Sequence, residues 1–142
     1  MDLKKLIISL RNLNMPTGDF AIFGSGPMAI RGLKKPSDLD VIVTKKLYNQ
    51  FKITPGWIEK SFNSGKKYYL EKNGIELWND WGPGYWNIPQ LIATAEIIDG
   101  LPYVTLDNVL LWKMKNGRQK DIDDITVIKK FLQNPLHHTL RT

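Results

Sequence analysis

The sequence predicts a single α+β (or α/β) domain in which helices pack on a small mixed β-sheet. Two short apolar runs bounded by turn residues, Phe20-Ala21-Ile22-Phe23 and Leu39 to Val43, have the pattern of buried strands. Amphipathic stretches at helical spacing stand near both ends of the chain. An Asn73-Gly74 dipeptide between two strand-like segments marks a β-hairpin. With 142 residues, 42% of them hydrophobic, the chain can fill one compact core, and residues 1–142 read as one domain.

Taken in order, Leu3, Leu6, Ile7, Leu10 and Leu13 recur at helical spacing between Lys4, Lys5 and Arg11, and Pro16 and Gly18 end that helix. The run Phe20 to Phe23 is wholly apolar, which suits a central strand covered on both faces. Gly24-Ser25-Gly26-Pro27 breaks it, and Pro27 suits the first turn of a short helix over Met28 to Leu33, with Ser25 or Gly26 near its cap. Pro36-Ser37 marks a turn before the second strand, Leu39 to Val43, and a helix over Lys46 to Phe51 follows. Lys66 to Lys72 and Ile75 to Trp78 flank the Asn73-Gly74 turn, whose residues tolerate the positive φ that a tight hairpin needs. Ile88 to Glu96 read as a helix, and Ile97-Ile98 and Tyr103-Val104 as short strands. Thr105 caps an amphipathic helix over Leu106 to Met114, closed by Gly117. A last helix runs from about Gln119 to Leu132 with Ile122, Ile125, Ile128, Phe131 and Leu132 on one face, and Asn134-Pro135 terminates it.

Composition narrows the function classes. Twenty Lys and Arg against fourteen Asp and Glu leave a formal charge of +6, a balance that favours polyanionic partners such as nucleotides or nucleic acid. The lysine pairs, Lys34-Lys35 and Lys66-Lys67 among them, are scattered along the chain as on an ordinary solvated surface. No cysteine is present, so there is neither a disulfide framework nor a thiolate metal site, in keeping with a cytoplasmic setting. Charges at Asp2, Lys4, Lys5 and Arg11 interrupt the first segment, which therefore lacks the apolar run of a signal peptide or membrane span. His137 and His138 follow Pro135 in what reads as a mobile tail over 135–142 rather than a metal site. Trp57, Trp78, Trp81, Tyr85 and Trp86 read first as packing residues, although the loop Trp81-Gly82-Pro83-Gly84-Tyr85-Trp86 could line a nucleotide pocket.

The chemistry centres on Asp38 and Asp40. Two residues apart at the start of a strand, they place both carboxylates on one face and send Leu39 and Val41 to the other. Hard divalent cations such as Mg²⁺ prefer carboxylate oxygens, and two metals about 4 Å apart can clamp the attacking and leaving oxygens of a phosphoryl displacement. With ten Asp in the chain, one such pair is expected by chance, and Asp121-Ile122-Asp123 is another. Context singles out the first: a strand and the Gly24-Ser25 turn precede it, offering backbone N–H groups and a hydroxyl to phosphate oxygens.

Gly24-Ser25, twelve intervening residues, then Asp38-Leu39-Asp40 and Val41-Ile42-Val43 resemble the G-S…D-h-D-h signature of the nucleotidyltransferase superfamily with the DNA polymerase β-like fold. Among its members, the small stand-alone proteins of toxin-antitoxin and abortive-infection systems are the most similar. Arg118-Gln119-Lys120-Asp121-Ile122-Asp123-Asp124-Ile125 is similar to the family's C-terminal R-x-K-D-x-x-D helix. The resemblance implies a third carboxylate on a later strand, for which Glu76 in Ile75-Glu76-Leu77 is the candidate and Asp80 the runner-up. It implies a site in which Asp38, Asp40 and Glu76 hold Mg²⁺, or Mn²⁺ in its place, while Gly24, Ser25, Lys113, Arg118 and Lys120 bind the nucleotide. The activity implied is transfer of a nucleoside monophosphate from a nucleoside triphosphate such as ATP to an acceptor hydroxyl on an RNA end, a protein side chain or a small molecule. The alternative is a non-catalytic member that binds nucleotide, nucleic acid or a partner protein. Two features depart from the pattern: Gly26-Pro27 stiffens the turn after Ser25, and the chain lacks the appended helical domain of larger members.

Overall fold

The computed structural model describes residues 2–134, so the expected tail over 135–142, with His137 and His138, lies outside the described residues. Helix α1 (Leu3–Arg11) starts where the Asp2 carboxylate accepts from the Lys4 amide, and it buries Leu6 and Leu10. Strand β1 (Phe20–Ile22) leads through Gly24 into the one-turn helix α2 (Gly26–Ala29), then β2 (Leu39–Val43) and α3 (Lys45–Lys52), N-capped by Thr44. Strands β3 (Ile58–Phe62), β4 (Lys67–Lys72) and β5 (Ile75–Trp78) follow, then α4 (Ile88–Ala93). Strands β6 (Glu96–Ile98) and β7 (Leu101–Tyr103) precede α5 (Leu106–Asn116), capped by Thr105 and closed by left-handed Gly117, and α6 (Gln119–Leu132).

The seven strands form one mixed sheet in the order β3-β4-β5-β2-β1-β7-β6. Parallel pairs join β2 to β5 and β1 to β7, and the other neighbours run antiparallel. The Asn73-Gly74 turn forms with both residues at positive φ, as expected for the tight β4–β5 hairpin. Helices cover both faces of the sheet. Leu6, Leu10, Leu47 and Phe51 of α1 and α3 pack under Val41, Leu70 and Leu77, while Met28, Leu91, Val109 and Ile128 of α2, α4, α5 and α6 pack over Ala21, Phe23 and Ile42. This two-layered burial is why the central strands read as continuous apolar runs. Among the described residues, no helix is long and apolar enough to cross a membrane.

Several boundaries differ from the sequence expectation. The first helix ends at Arg11 rather than Leu13, and the helix after Ser25 forms over Gly26–Ala29, ahead of the expected Met28 to Leu33, because Ser25 takes the cap position with Pro27 in the first turn. The helix expected over Ile88 to Glu96 stops at Ala93, and Glu96 opens β6. Strand β3 was not expected. Its five residues are all exposed and carry no clean apolar alternation, and they form a strand because β4 offers a free edge.

Candidate active site

Period-2 alternation and strand register assemble the site. In the parallel β2–β5 ladder Asp40 stands opposite Glu76, and Ile42 opposite Trp78, two residues further on. The two acids therefore project from neighbouring strands onto the same face, where their carboxyl groups hydrogen-bond to each other, and exposed Asp38, in the bend just before β2 rather than in the strand, also reaches Glu76. Asp80 is placed elsewhere: its exposed carboxylate accepts from Lys67 Nζ at 2.9 Å. Of the two candidates for the third carboxylate, only Glu76 stands beside Asp40.

Gly24 closes the site from the β1 side. At φ +58 its backbone is left-handed, and a Cβ there would fall on Oδ2 of Asp40 and within 2.9 Å of its Cβ. Glycine is needed on both counts. Ser25 caps α2 with no side-chain hydrogen bond to the helix, and its side chain lines the cavity above the acids. Trp78 donates its indole N–H to Oδ1 of Asp40 at 3.3 Å.

The cavity measures about 670 Å³, within the usual range for small-molecule sites. Asp40 and Glu76 form part of its floor, Tyr69, Trp78, Trp81 and Trp112 supply aromatic surface, and Lys34, Lys113, Arg118 and Lys120 stand in its wall. The structure thus brings together Ser25, Asp40, Glu76, Lys113, Arg118 and Lys120 from five separate segments of the chain. Of the Trp81 to Trp86 loop, the aromatic residue lining this cavity is Trp81, which stacks on Phe23 at 4.7 Å. Tyr85 and Trp86 instead line a separate, shallower cavity beside Asn87 and Asn108.

The basic wall is already knitted to acids. Lys113, only 2% exposed, donates to Asp124 at 2.8 Å and lies 3.7 Å from fully buried Asp121. Lys34 reaches the same Asp124 at 2.6 Å, and Arg118, at the N-cap position of α6, donates its Nε–H to Asp121 at 2.7 Å and its backbone N–H to the same carboxylate at 3.1 Å. Lys113 and Arg118 are thus engaged in ion pairs with the acids of α6, whereas Lys120 is exposed and free of ion pairs among the described residues. Lys34 is a cavity residue that the sequence presented only as one of several surface lysine pairs. Tyr69 shares a strand face with Glu71 and Trp78 with Glu76, and since Glu71 stands opposite Glu76, both aromatics lie on the acid face; the period-2 spacing was in the sequence, the pairing of the strands was not.

The two acidic groups have opposite electrostatics. Burial acts to raise Asp121 and Asp124, yet hydrogen bonds and charge from Arg118, Lys113 and Lys34 prevail and hold both below the usual carboxylate value. Burial pushes Glu76 up to about 9, with the charge of Asp40 and bonds to Asp40 and Asp38 adding to it, and burial likewise raises Asp40. No Lys or Arg pairs with Asp38, Asp40 or Glu76 among the described residues. Such a perturbed group of acids in a cavity is a physical pointer to a functional site.

Comparison with family models and with curated proteins finds no match for the chain. The site therefore has to be judged on its own chemistry. Its donor set fits a hard divalent cation: oxygen ligands only, close enough to exchange a proton, with no basic side chain competing for them. The three acids are not drawn to a common point, and among the described residues no three His, Asp or Glu side chains already form a metal-binding group. Two carboxyl groups are in contact through a hydrogen bond, and the exposed Asp38 stands beside them as a third oxygen donor.

Proposed function

We propose that this protein is a divalent-metal-dependent nucleotidyltransferase. The observation that carries the reading is the Asp40–Glu76 register: two acids from distant parts of the chain meet, unpaired with any Lys or Arg among the described residues, on the floor of a cavity with Lys34, Lys113, Arg118 and Lys120 in its wall. Asp38, Asp40 and Glu76 would hold Mg²⁺ or Mn²⁺, which neutralises charge developing on the transferred phosphoryl group. Ser25 would bind a phosphate oxygen next to the acids, and Lys120, with Arg118 beside it, would attract the remaining phosphates. An acceptor hydroxyl attacks the α-phosphate in line, the bond to pyrophosphate breaks, and a carboxylate of the site accepts the proton. The aromatic surface offers the base a stacking wall.

The reading is tested by incubating the protein with each labelled nucleoside triphosphate, Mg²⁺, and RNA, protein or small-molecule acceptors, comparing wild type with Asp40→Asn. Label transfer by wild type and its loss in the variant is the expected result; equal labelling by both would sink the assignment. A second reading, a binding module of the same fold, draws on the engagement of Lys113 and Arg118 with Asp121 and Asp124 and on the lack, among the described residues, of a ready-made group of three metal-binding side chains. Nucleotide binding by wild type with no transfer to any acceptor would favour it.

A further inference from the structure

We propose that Trp78 is a positioning residue for Asp40, holding the carboxylate in the orientation in which it takes a divalent cation; this rests on the reading of Asp38, Asp40 and Glu76 as cation ligands. The geometry comes from β5. Trp78 follows Glu76 by two residues, so it shares the acid face as the next residue along β5 to do so after Glu76. From there the indole leans back across the ladder and donates to Oδ1 of Asp40 at 3.3 Å. Gly24, lacking a Cβ, lets Oδ2 lie against the β1 turn on the other side. The two oxygens of Asp40 are thus located by different neighbours. Asp40 also bonds Glu76, but Glu76 is itself a candidate ligand, which leaves Trp78 as the side-chain partner outside the ligand set.

The indole is itself fixed. Its ring stacks on Tyr69 at 4.4 Å with 17° between planes, and Phe62 and Trp81 meet it edge-on at 5.9 and 5.5 Å. Trp78 is 8% exposed, so little solvent competes for its N–H. The residue type also makes sense. Lys or Arg in this place would fix the oxygen but cancel its charge and compete with the cation, whereas indole is a neutral donor with no acceptor atom. Partners of this kind orient metal-ligating groups, and their removal typically weakens metal affinity 10- to 100-fold.

The test reads cation binding rather than turnover. Mn²⁺ affinity is measured by electron paramagnetic resonance on wild type, Trp78→Phe, Asp40→Asn and Trp57→Phe, each first shown to be folded by circular dichroism. Trp57 packs against Phe51 on the opposite face of the sheet and reports the general effect of losing an indole. The expected result is loss of binding in Asp40→Asn, weakening by about 10-fold in Trp78→Phe, and no change in Trp57→Phe. In wild type the indole N–H resonance absent from Trp78→Phe should shift on adding Mg²⁺. If Asp40→Asn loses binding while Trp78→Phe matches wild type, or Trp57→Phe weakens as much, the role of Trp78 is overturned and the metal site stands. If wild type binds no Mn²⁺, or Asp40→Asn binds it equally well, the metal site and the inference fall together. Should Trp78→Phe fail to fold, benzothienylalanine at position 78 keeps the indole shape without its N–H, and its affinity is judged in the same way.

Discussion

Replacing Gly24 by alanine should damage the fold and the acid site together, and the structure sets the size of the effect. Two costs add. A side chain at φ +58 carries the left-handed penalty of roughly 1–2 kcal/mol. The new Cβ would also overlap Oδ2 of Asp40 and stand 2.9 Å from its Cβ, in a turn where Gly24 is buried, and overpacking of that kind costs about 1–3 kcal/mol. The sum is about 2–5 kcal/mol, or roughly 8–20 °C in Tm at about 4 °C per kcal/mol for a domain of this size. Gly32 separates the two terms, because it is also left-handed at φ +73 but has nothing within 4 Å of its added Cβ. Gly32→Ala should therefore lose only the backbone part, about 1–2 kcal/mol. Thermal unfolding followed by circular dichroism compares the two, and Mn²⁺ binding shows whether Asp40 has moved. A Gly24→Ala protein that melts with Gly32→Ala and binds cation like wild type would refute the argument that Asp40 is seated against a missing side chain.

Other outcomes follow from the same electrostatics and packing. Glu76 lies near 9 and so carries its proton at neutral pH, which makes Gln a close substitute. Glu76→Gln should melt within about 2 °C of wild type in EDTA, yet lose the stabilisation of about 2.7 kcal/mol that wild type gains at cation concentrations 100-fold above Kd; calorimetry with and without Mg²⁺ checks both. Lys113→Ala removes the buried partner of two acids and should cost about 3 kcal/mol, the low end for a broken buried pair because Arg118 and Lys34 still reach Asp121 and Asp124. Urea denaturation that finds less than about 1 kcal/mol would show the network to be energetically idle. Asp121 and Asp124 are held below their ordinary value of 3.8, so the folded state binds fewer protons than the unfolded one. Their contribution is present above that value and is lost as pH falls below it through the folded values. Stability measured from about pH 5 downward should therefore fall less steeply in Lys113→Ala than in wild type.

Local rules carried much of this molecule. Thr105 and Gly117 bracketed α5, Asn73-Gly74 set the hairpin, and period-2 spacing put Asp40 on the strand face opposite Leu39 and Val41, because caps, turns and pleats depend on residues a few positions apart; Asp38 falls in the bend just before the strand. Glu76 could be nominated as the third acid from its strand, but not placed beside Asp40. That meeting depends on a parallel pairing between β2 and β5 across more than thirty residues, and nothing in either strand specifies its register. Strand β3 escaped notice for a related reason: an exposed edge needs no apolar alternation, and only the free side of β4 makes it a strand. The basic segment at the start of α6 shows the same division. Sequence put Lys113, Arg118 and Lys120 near one another; packing of α5 on α6 buried Lys113 against Asp121 and Asp124 and left Lys120 in solvent. Trp78 could be read as a packing residue from its type, while its bond to Asp40 required two neighbouring strands in register. Burial and charge compensation belong to the assembled sheet and helices, since each depends on which distant segments exclude water from the same place.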